Sequence, residues 1–307
     1  MRPRIRHLKQ PWLWLALVIL AASCAPDRED VTGPGTPPTS SAVAAPAAAT
    51  TAAGVCDFNP TESGLTGPGW SKVFEDSFSG DLSQWTVWIG GAFNEELQLY
   101  QPANLQTSGG LLSITARKET VTGPTTPFDA TPKTFSYTSG RIESKSNFSS
   151  SRTTPRVRLS ARLKLPAGYG MWPAFWSYGD PWPSQGEIDV MEARGQEPFQ
   201  YQTAYWFGRR PGKNLVANSA TTIWSTVSLQ DCWHVYEVIW AKNTLTFLFD
   251  GQVVDTKSGD YIPSMYGKQE RIALNLAVGG LFFGSYDPSA IQPGTFQADW
   301  VKAFTSQ

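Results

Sequence analysis

Residues 186–195 read GEIDVMEARG, and within six of those positions stand three carboxylates, Glu187, Asp189 and Glu192, interleaved with Ile188, Val190 and Met191. Two carboxyls held close together can cleave a glycosidic bond, one protonating the leaving oxygen while the other attacks the anomeric carbon. That chemistry needs them on one face of one rigid element.

A strand supplies such a face. Side chains alternate along it, so Glu187 and Asp189 point one way while Ile188 and Val190 point toward a core. Glu192 lies an odd number of residues from Glu187 and breaks that parity. One extra residue, a β-bulge near Val190–Met191, returns it to the acidic face. The glutamates are then four strand steps apart, roughly 13 Å between Cα atoms, and their side chains can lean to within about 5–6 Å, near the spacing of a retaining glycosidase. A helix does worse, since about 100° per residue puts Glu187 and Asp189 on nearly opposite sides. Pro183, Gly186 and Gly195 bracket a short segment, which also favours a strand. A solvated acidic edge strand has the same composition, and the surroundings weigh against it. Trp172, Trp176 and Trp182 lie just upstream in GMWPAFWSYGDPWPSQ. Aromatic faces stack on the C–H faces of sugar rings, and a cleft lined by them beside paired carboxylates suits a polysaccharide.

The elements that must hold this site come from a chain of 307 residues with net charge -1, a balance that gives no reason to expect nucleic acid as a partner. Its 13 Trp, 16 Phe and 10 Tyr supply apolar surface for a sizeable core. Arg2, Arg4, Arg6 and Lys9 precede PWLWLALVILAAS, a stretch too short to span a bilayer and suited to a signal peptide over residues 1–24. It ends in Ala21-Ala22-Ser23-Cys24, which resembles a bacterial lipobox and marks Cys24 as a lipidation candidate; the alternative is ordinary secretion. The chain is therefore expected to be exported, as an outer-membrane or cell-surface lipoprotein or as a secreted protein. It would touch membrane only through that anchor.

Residues 25–55, rich in Ala, Pro, Thr, Ser and Gly and free of aromatics, read as a linker. Cys56 and Cys232 remain as a pair in an oxidising compartment, either bonded or as two separate buried thiols. Residues 56–307 show short strands punctuated by Gly, Pro, Asn and Ser: LLSITARKE, GRIESKSNF, RVRLSARLKL, HVYEVIW, TLTFLFDGQVVDTK and RIALNLAVGG. Asp250-Gly251 signals a hairpin. Long amphipathic helices are missing, and the pattern predicts one all-β domain, a two-sheet sandwich.

In order along residues 70–303, VFEDSF, NEELQLY, GLLSITARKE, YTSGRIESK, ARLKLPAGYGMWPAFW, GEIDVMEARG, FDGQVV, LNLAVGG and ADWVKAF make the chain resemble glycoside hydrolase family 16, and within it the laminarinases, endo-acting β-1,3-glucanases. The resemblance implies a concanavalin-like jelly-roll β-sandwich with a concave substrate cleft. It implies Glu187 as nucleophile, Glu192 as acid/base and Asp189 as the assisting carboxylate, expected to hydrogen-bond Glu187. Trp172, Trp176 and Trp182 match cleft-side aromatic positions, and Asn94 and Arg141 match polar positions near the site. The chemistry requires no metal or cofactor. Some relatives carry a structural calcium, and Asp299 matches the place of one ligand. A monomer is expected.

The chain also departs from the family. Where laminarinases carry a histidine soon after the catalytic strand, this chain has Thr203-Ala204-Tyr205-Trp206, with Tyr205 in the histidine's place. His234 reads as a structural strand residue. Leu281-Phe282-Phe283 replaces a segment where Asn and Trp-Pro are common. These changes leave several readings of the substrate open: β-1,3-glucan first, then mixed-linkage glucan, agar or carrageenan, with selectivity expected in loops such as 120–135 and 206–222. Transglycosylation and non-catalytic carbohydrate binding are the competing activities.

Overall fold

The computed structural model describes residues 50–259 and 261–307, and the side chains there except those of residues 213, 214 and 216–218. The expected signal peptide, Cys24 and most of the expected linker lie outside the described residues.

Two eight-stranded, largely antiparallel sheets form the body. One runs Thr50–Ala52, Lys213–Ser225, Gln200–Arg210, Glu187–Ala193, Met171–Tyr178, Arg271–Val278, Arg141–Ser144 and Trp85–Val87 in spatial order. The acidic segment is therefore an interior strand, hydrogen-bonded on both sides, and not an exposed edge. The second sheet is centred on Arg156–Lys164, between His234–Ala241 and Thr295–Ser306. Period-two alternation builds both. Along Arg156–Lys164, Val157, Leu159, Ala161 and Leu163 point into the core, while Arg158 and Ser160 on the other face both bond Glu237.

The core lies between the sheets. Phe175, Ile188, Val190, Met191, Leu274 and Leu276 from the acidic sheet share it with Leu159, Val238, Trp240, Phe296 and Val301 from the other. Burying a large apolar side chain of this kind contributes about 1.5–3 kcal/mol, so the apolar half of the acidic strand anchors the chemical half. Asp250 and Gly251, at φ 47° and 77°, make the two-residue turn between Thr244–Phe249 and Gln252–Ser258, as their sequence signals. Asp250 also accepts hydrogen bonds from the buried His234 ring and from the Val235 amide, which gives His234 a structural place.

Three expectations change or resolve. The linker stops short of residue 55, because Thr50–Ala52 pairs in parallel with residues 223–225 and buries Ala52 at the sheet edge. Cys56 and Cys232 are bonded to each other across 176 residues of sequence. The segments expected as loops at 120–135 and 206–222 are largely β-ribbons, Arg117–Thr126 on Asp129–Ser139 and Gln200–Arg210 on Lys213–Ser225. Their threonine-rich alternation is a strand signal that outweighs scattered glycines and prolines.

Candidate active site

The bulge that the odd spacing of Glu187 and Glu192 requires is present in the ladder. Asp189 pairs with Trp176 and Met191 with Phe175, leaving Val190 as the extra residue, and the register on the opposite side shifts between Asp189 and Glu192. Val190 and Met191 both drop into the core. The bulge thereby carries Glu192 back to the face shared by Glu187 and Asp189.

Each of the three carboxylates accepts a hydrogen bond from an indole. Trp182 Nε1 donates to Glu187 Oε2 at 2.6 Å, Trp206 Nε1 to Asp189 Oδ2 at 2.9 Å, and Trp172 Nε1 to Glu192 Oε1 at 2.9 Å. The bond expected between Asp189 and Glu187 is replaced by the one from Trp206. Indoles donate without carrying charge, so they orient the acids yet neutralise none of their mutual repulsion.

The electrostatics follow. Burial first, and then the Glu192 charge, push Glu187 up to about 8. The Trp182 bond and the Arg141 guanidinium oppose that rise. Burial pushes Glu192 up to about 7 against the Trp172 bond and the Arg194 charge, with Glu96 adding to the rise. Asp189, 2 % exposed, is held well above the ordinary carboxylate range by burial and by both glutamates. The site thus holds protons near neutral pH, as a general acid requires. Both glutamates are pushed up chiefly by burial, and position relative to the scissile bond assigns their separate roles.

The aromatic positions divide by task. Trp182 is 37 % exposed and presents a free edge of the cleft. Trp172 is 9 % exposed, and Phe282 stacks on it with ring centroids 4.6 Å apart. That covers one face of the indole and leaves Trp172 chiefly as the donor to Glu192. Trp176 stacks on Tyr178 and donates to Asn275 Oδ1 at 2.7 Å. From there a chain of bonds runs through Tyr100 to Glu96 and Gln98. Arg141 sits over the Trp88 and Trp176 rings, 4.0 and 4.7 Å from their centroids, and is held by Glu143. Asn94 is exposed in a left-handed turn at φ 59°, and its carbonyl accepts from Leu281 N.

Sequence reasoning missed Trp206, Glu96, Asn275 and Phe282. For Trp206 the signal was available: Tyr205 pairs with Ile188 and is buried on the core side, whereas Trp206 pairs with Glu187. Alternation therefore gives the cleft-facing place to position 206.

The expected calcium position does not fit a metal. Asp299 Oδ2 accepts from Arg162 Nη1 at 2.7 Å, and the same guanidinium donates to the carbonyls of Phe58 at 2.8 Å and Asp57 at 3.3 Å. A fixed positive charge therefore already sits against the Asp299 carboxylate. Among the described residues no group of three or more His, Cys, Asp or Glu is arranged to hold a metal ion.

A jelly-roll sandwich that carries paired carboxylates in a tryptophan-lined cleft is the architecture of an O-glycosyl hydrolase. Residues 94–302 match the model described as Glycosyl hydrolases family 16, and the chain belongs to that family. It is 32% identical over 264 residues to the glucan endo-1,3-beta-glucosidase of Cryptopygus antarcticus, covering 77% of this chain and 92% of that protein. It is 29% identical over 279 residues to glucan endo-1,3-beta-glucosidase A1 of Niallia circulans, covering 81% of this chain and 39% of that longer protein. The endo-beta-1,3-glucanase structure from Pyrococcus furiosus superposes with a TM-score of 0.65 at 30% identity, covering 78% of this chain and 95% of that one.

Proposed function

We propose that the protein cleaves internal bonds of β-1,3-glucan by double displacement, with retention of configuration. The observation that carries this reading is the bulge at Val190, which sets Glu187 and Glu192 on one face of one interior strand. Glu187, beside the Trp182 N–H and within the field of Arg141, attacks the anomeric carbon as a carboxylate. Glu192 gives its proton to the glycosidic oxygen as that bond breaks. The resulting Glu187 ester is hydrolysed when Glu192, now ionised, takes a proton from water. Asp189 acts on the pair through its place between them, fixed by the Trp206 bond.

The preference for β-1,3-glucan is supported by the similarity to endo-1,3-glucanases of two organisms and of Pyrococcus furiosus. Incubating the purified protein with laminarin, mixed-linkage glucan, agar and carrageenan, followed by linkage analysis of the products, tests it. Oligosaccharides from laminarin that are lost in Glu187→Ser and Glu192→Gln support the reading; products from another polymer alone reject the substrate, and unaltered cleavage by both variants rejects the site.

Residues 1–24 direct export and Cys24 is lipidated, which tethers the enzyme where polymeric glucan is met. Support comes from the basic start, the apolar run and the Ala-Ala-Ser-Cys ending. The mass of the mature N-terminal peptide tests it. Catalysis proceeds without a metal, and the enzyme acts as a monomer.

A further inference from the structure

We propose that Phe282 is a positioning residue for Glu192: its ring lies against both the Trp172 indole that donates to that carboxylate and the nearby Arg194 guanidinium, and fixes the two together. This rests on the reading of Glu192 as the acid/base.

Three flat groups meet at this point. The Phe282 and Trp172 rings stack with centroids 4.6 Å apart and 13° between their planes, and the Arg194 guanidinium carbon is 4.0 Å from the Phe282 centroid. Arg194 Nη2 also donates to the Phe282 carbonyl at 2.6 Å. Trp172 Nε1 in turn donates to Glu192 Oε1 at 2.9 Å. One residue therefore touches both groups that favour the ionised form of Glu192, the indole N–H and the Arg194 charge.

Both groups need such a support. Arginine loses much rotamer freedom when it is fixed, and the other contact of Arg194, from Nη1 to Glu197 Oε2, is long at 3.5 Å. Phe282 offers it a ring and a carbonyl at once. An indole free to turn about its side-chain bonds would lose the line to Glu192, and a parallel ring in contact restricts that turn.

The backbone under Phe282 is itself held. Leu281–Phe283 is a short 3₁₀ turn between Gly280 and Gly284, at φ 93° and 63°. Leu281 N donates to the Asn94 carbonyl at 2.8 Å, and Gly280 N donates to the Tyr286 hydroxyl at 3.1 Å. A Cβ at position 280 would stand 2.8 Å from the Asn94 oxygen, so the turn's approach to residue 94 requires glycine there. Phe283 meets the Phe282 ring edge-on at 6.0 Å.

Glu192 gives a proton in the first half-reaction and takes one in the second. Burial and Glu96 favour its protonated form, and Glu187 and Asp189 on the same face are coupled to its charge; Trp172 and Arg194 oppose them. The flanking strands bring Trp172 and Gln202 toward it, neither of which titrates. Without the Phe282 ring the balance tips toward the protonated acid. Proton donation survives, and activation of water slows.

The test titrates the Glu192 carboxyl carbon by 13C NMR in wild type, Phe282→Leu and Phe282→Tyr, with Glu192→Gln assigning the signal. Leucine keeps an apolar side chain over the site and removes the flat ring; tyrosine keeps the ring. The midpoint is expected to move upward by roughly 0.5–1 in pH in Phe282→Leu and to return in Phe282→Tyr. Breakdown of the glycosyl-enzyme, in which Glu187 is an uncharged ester, is read from kcat on 2,4-dinitrophenyl β-laminaribioside, whose leaving group needs no proton. The acid limb of that profile should move with the midpoint, which lowers kcat on its acid side roughly three- to tenfold in Phe282→Leu. An unmoved or lowered midpoint in folded Phe282→Leu overturns the positioning role. A midpoint that moves while the kcat limb stays in place upholds the contact and overturns Glu192 as the acid/base. Wild-type protein inert on the dinitrophenyl glycoside overturns the β-1,3-glucan reading, and the NMR titration still decides Phe282.

Discussion

Trp206 Nε1 donates to Asp189 Oδ2 at 2.9 Å, from a strand position that pairs with Glu187. An indole thus holds the middle carboxylate, one residue on from the place the resemblance gives to a histidine, whose imidazole could donate as well. The two donors differ in one respect that matters: imidazole titrates near neutrality and indole does not.

Replacing Trp206 by Phe leaves a buried Asp189 oxygen without its donor. A lost bond of this kind costs about 1–3 kcal/mol, so kcat should fall roughly 5- to 150-fold as the carboxylate cluster loses its alignment. Trp206→His should recover part of that loss and add a titration step between about pH 6 and 7 that the wild type lacks. A kcat–pH profile of the three proteins checks this, and identical profile shapes for the wild type and Trp206→His would contradict the assignment.

The raised carboxyls also make stability depend on pH. Glu192 goes from an ordinary 4.5 to about 7 in the fold, mainly through burial. The folded state therefore binds the proton more tightly than the unfolded one. Its contribution is fully present below pH 4.5 and is lost as pH rises through about 7. Glu192→Gln removes the charge and keeps an acceptor for Trp172. It should raise stability at about pH 8.5 by roughly 2 kcal/mol and change little at about pH 4. Thermal unfolding at both pH values measures the difference; equal melting temperatures on the alkaline side count against a protonated cluster.

Much of this was legible from letters alone. The bulge followed from the odd spacing of Glu187 and Glu192 with apolar Val190 and Met191 between them, because an odd step is unacceptable when one face is core. The Asp250-Gly251 turn followed from the need for two positive φ values. What was not legible required register between segments far apart in the chain. That Trp206, and not Tyr205, faces the acids depends on how residues 200–210 lie against 187–193. That Trp172 is covered depends on Phe282, from a distant part of the chain.

Asp299 illustrates the same limit. As a single acid it matched a calcium position; in the fold it closes on Arg162. Neither EDTA nor millimolar calcium should move the melting temperature of the wild type. Arg162→Ala should lower stability by roughly 2–3 kcal/mol, since it strips a partly buried carboxylate and two carbonyls of their donor. A calcium-dependent rise in the wild-type melting temperature would show that a metal competes for those oxygens.

The bulge itself can be edited. Deleting Val190 leaves Glu187, Asp189 and the second glutamate at successive even steps of an unbulged strand, all still on the cleft face. Deleting Ile188 instead drives Asp189 toward the core. The first variant should lose about 1.5–3 kcal/mol of stability from the missing valine and retain measurable cleavage, while the second should lose cleavage altogether. Reducing-sugar release by the two purified proteins distinguishes them.

In the proposed reaction Glu187 forms a covalent bond to the sugar while Glu192 manages the proton. A 2-deoxy-2-fluoro aryl β-laminaribioside slows the second half-reaction and leaves the intermediate in place for peptide mass mapping. One glycosyl adduct per chain is expected, on the peptide containing GEIDVMEA and localised to Glu187 by fragmentation. An adduct on a different residue, or no adduct together with release of the inverted anomer from laminarin, would contradict it.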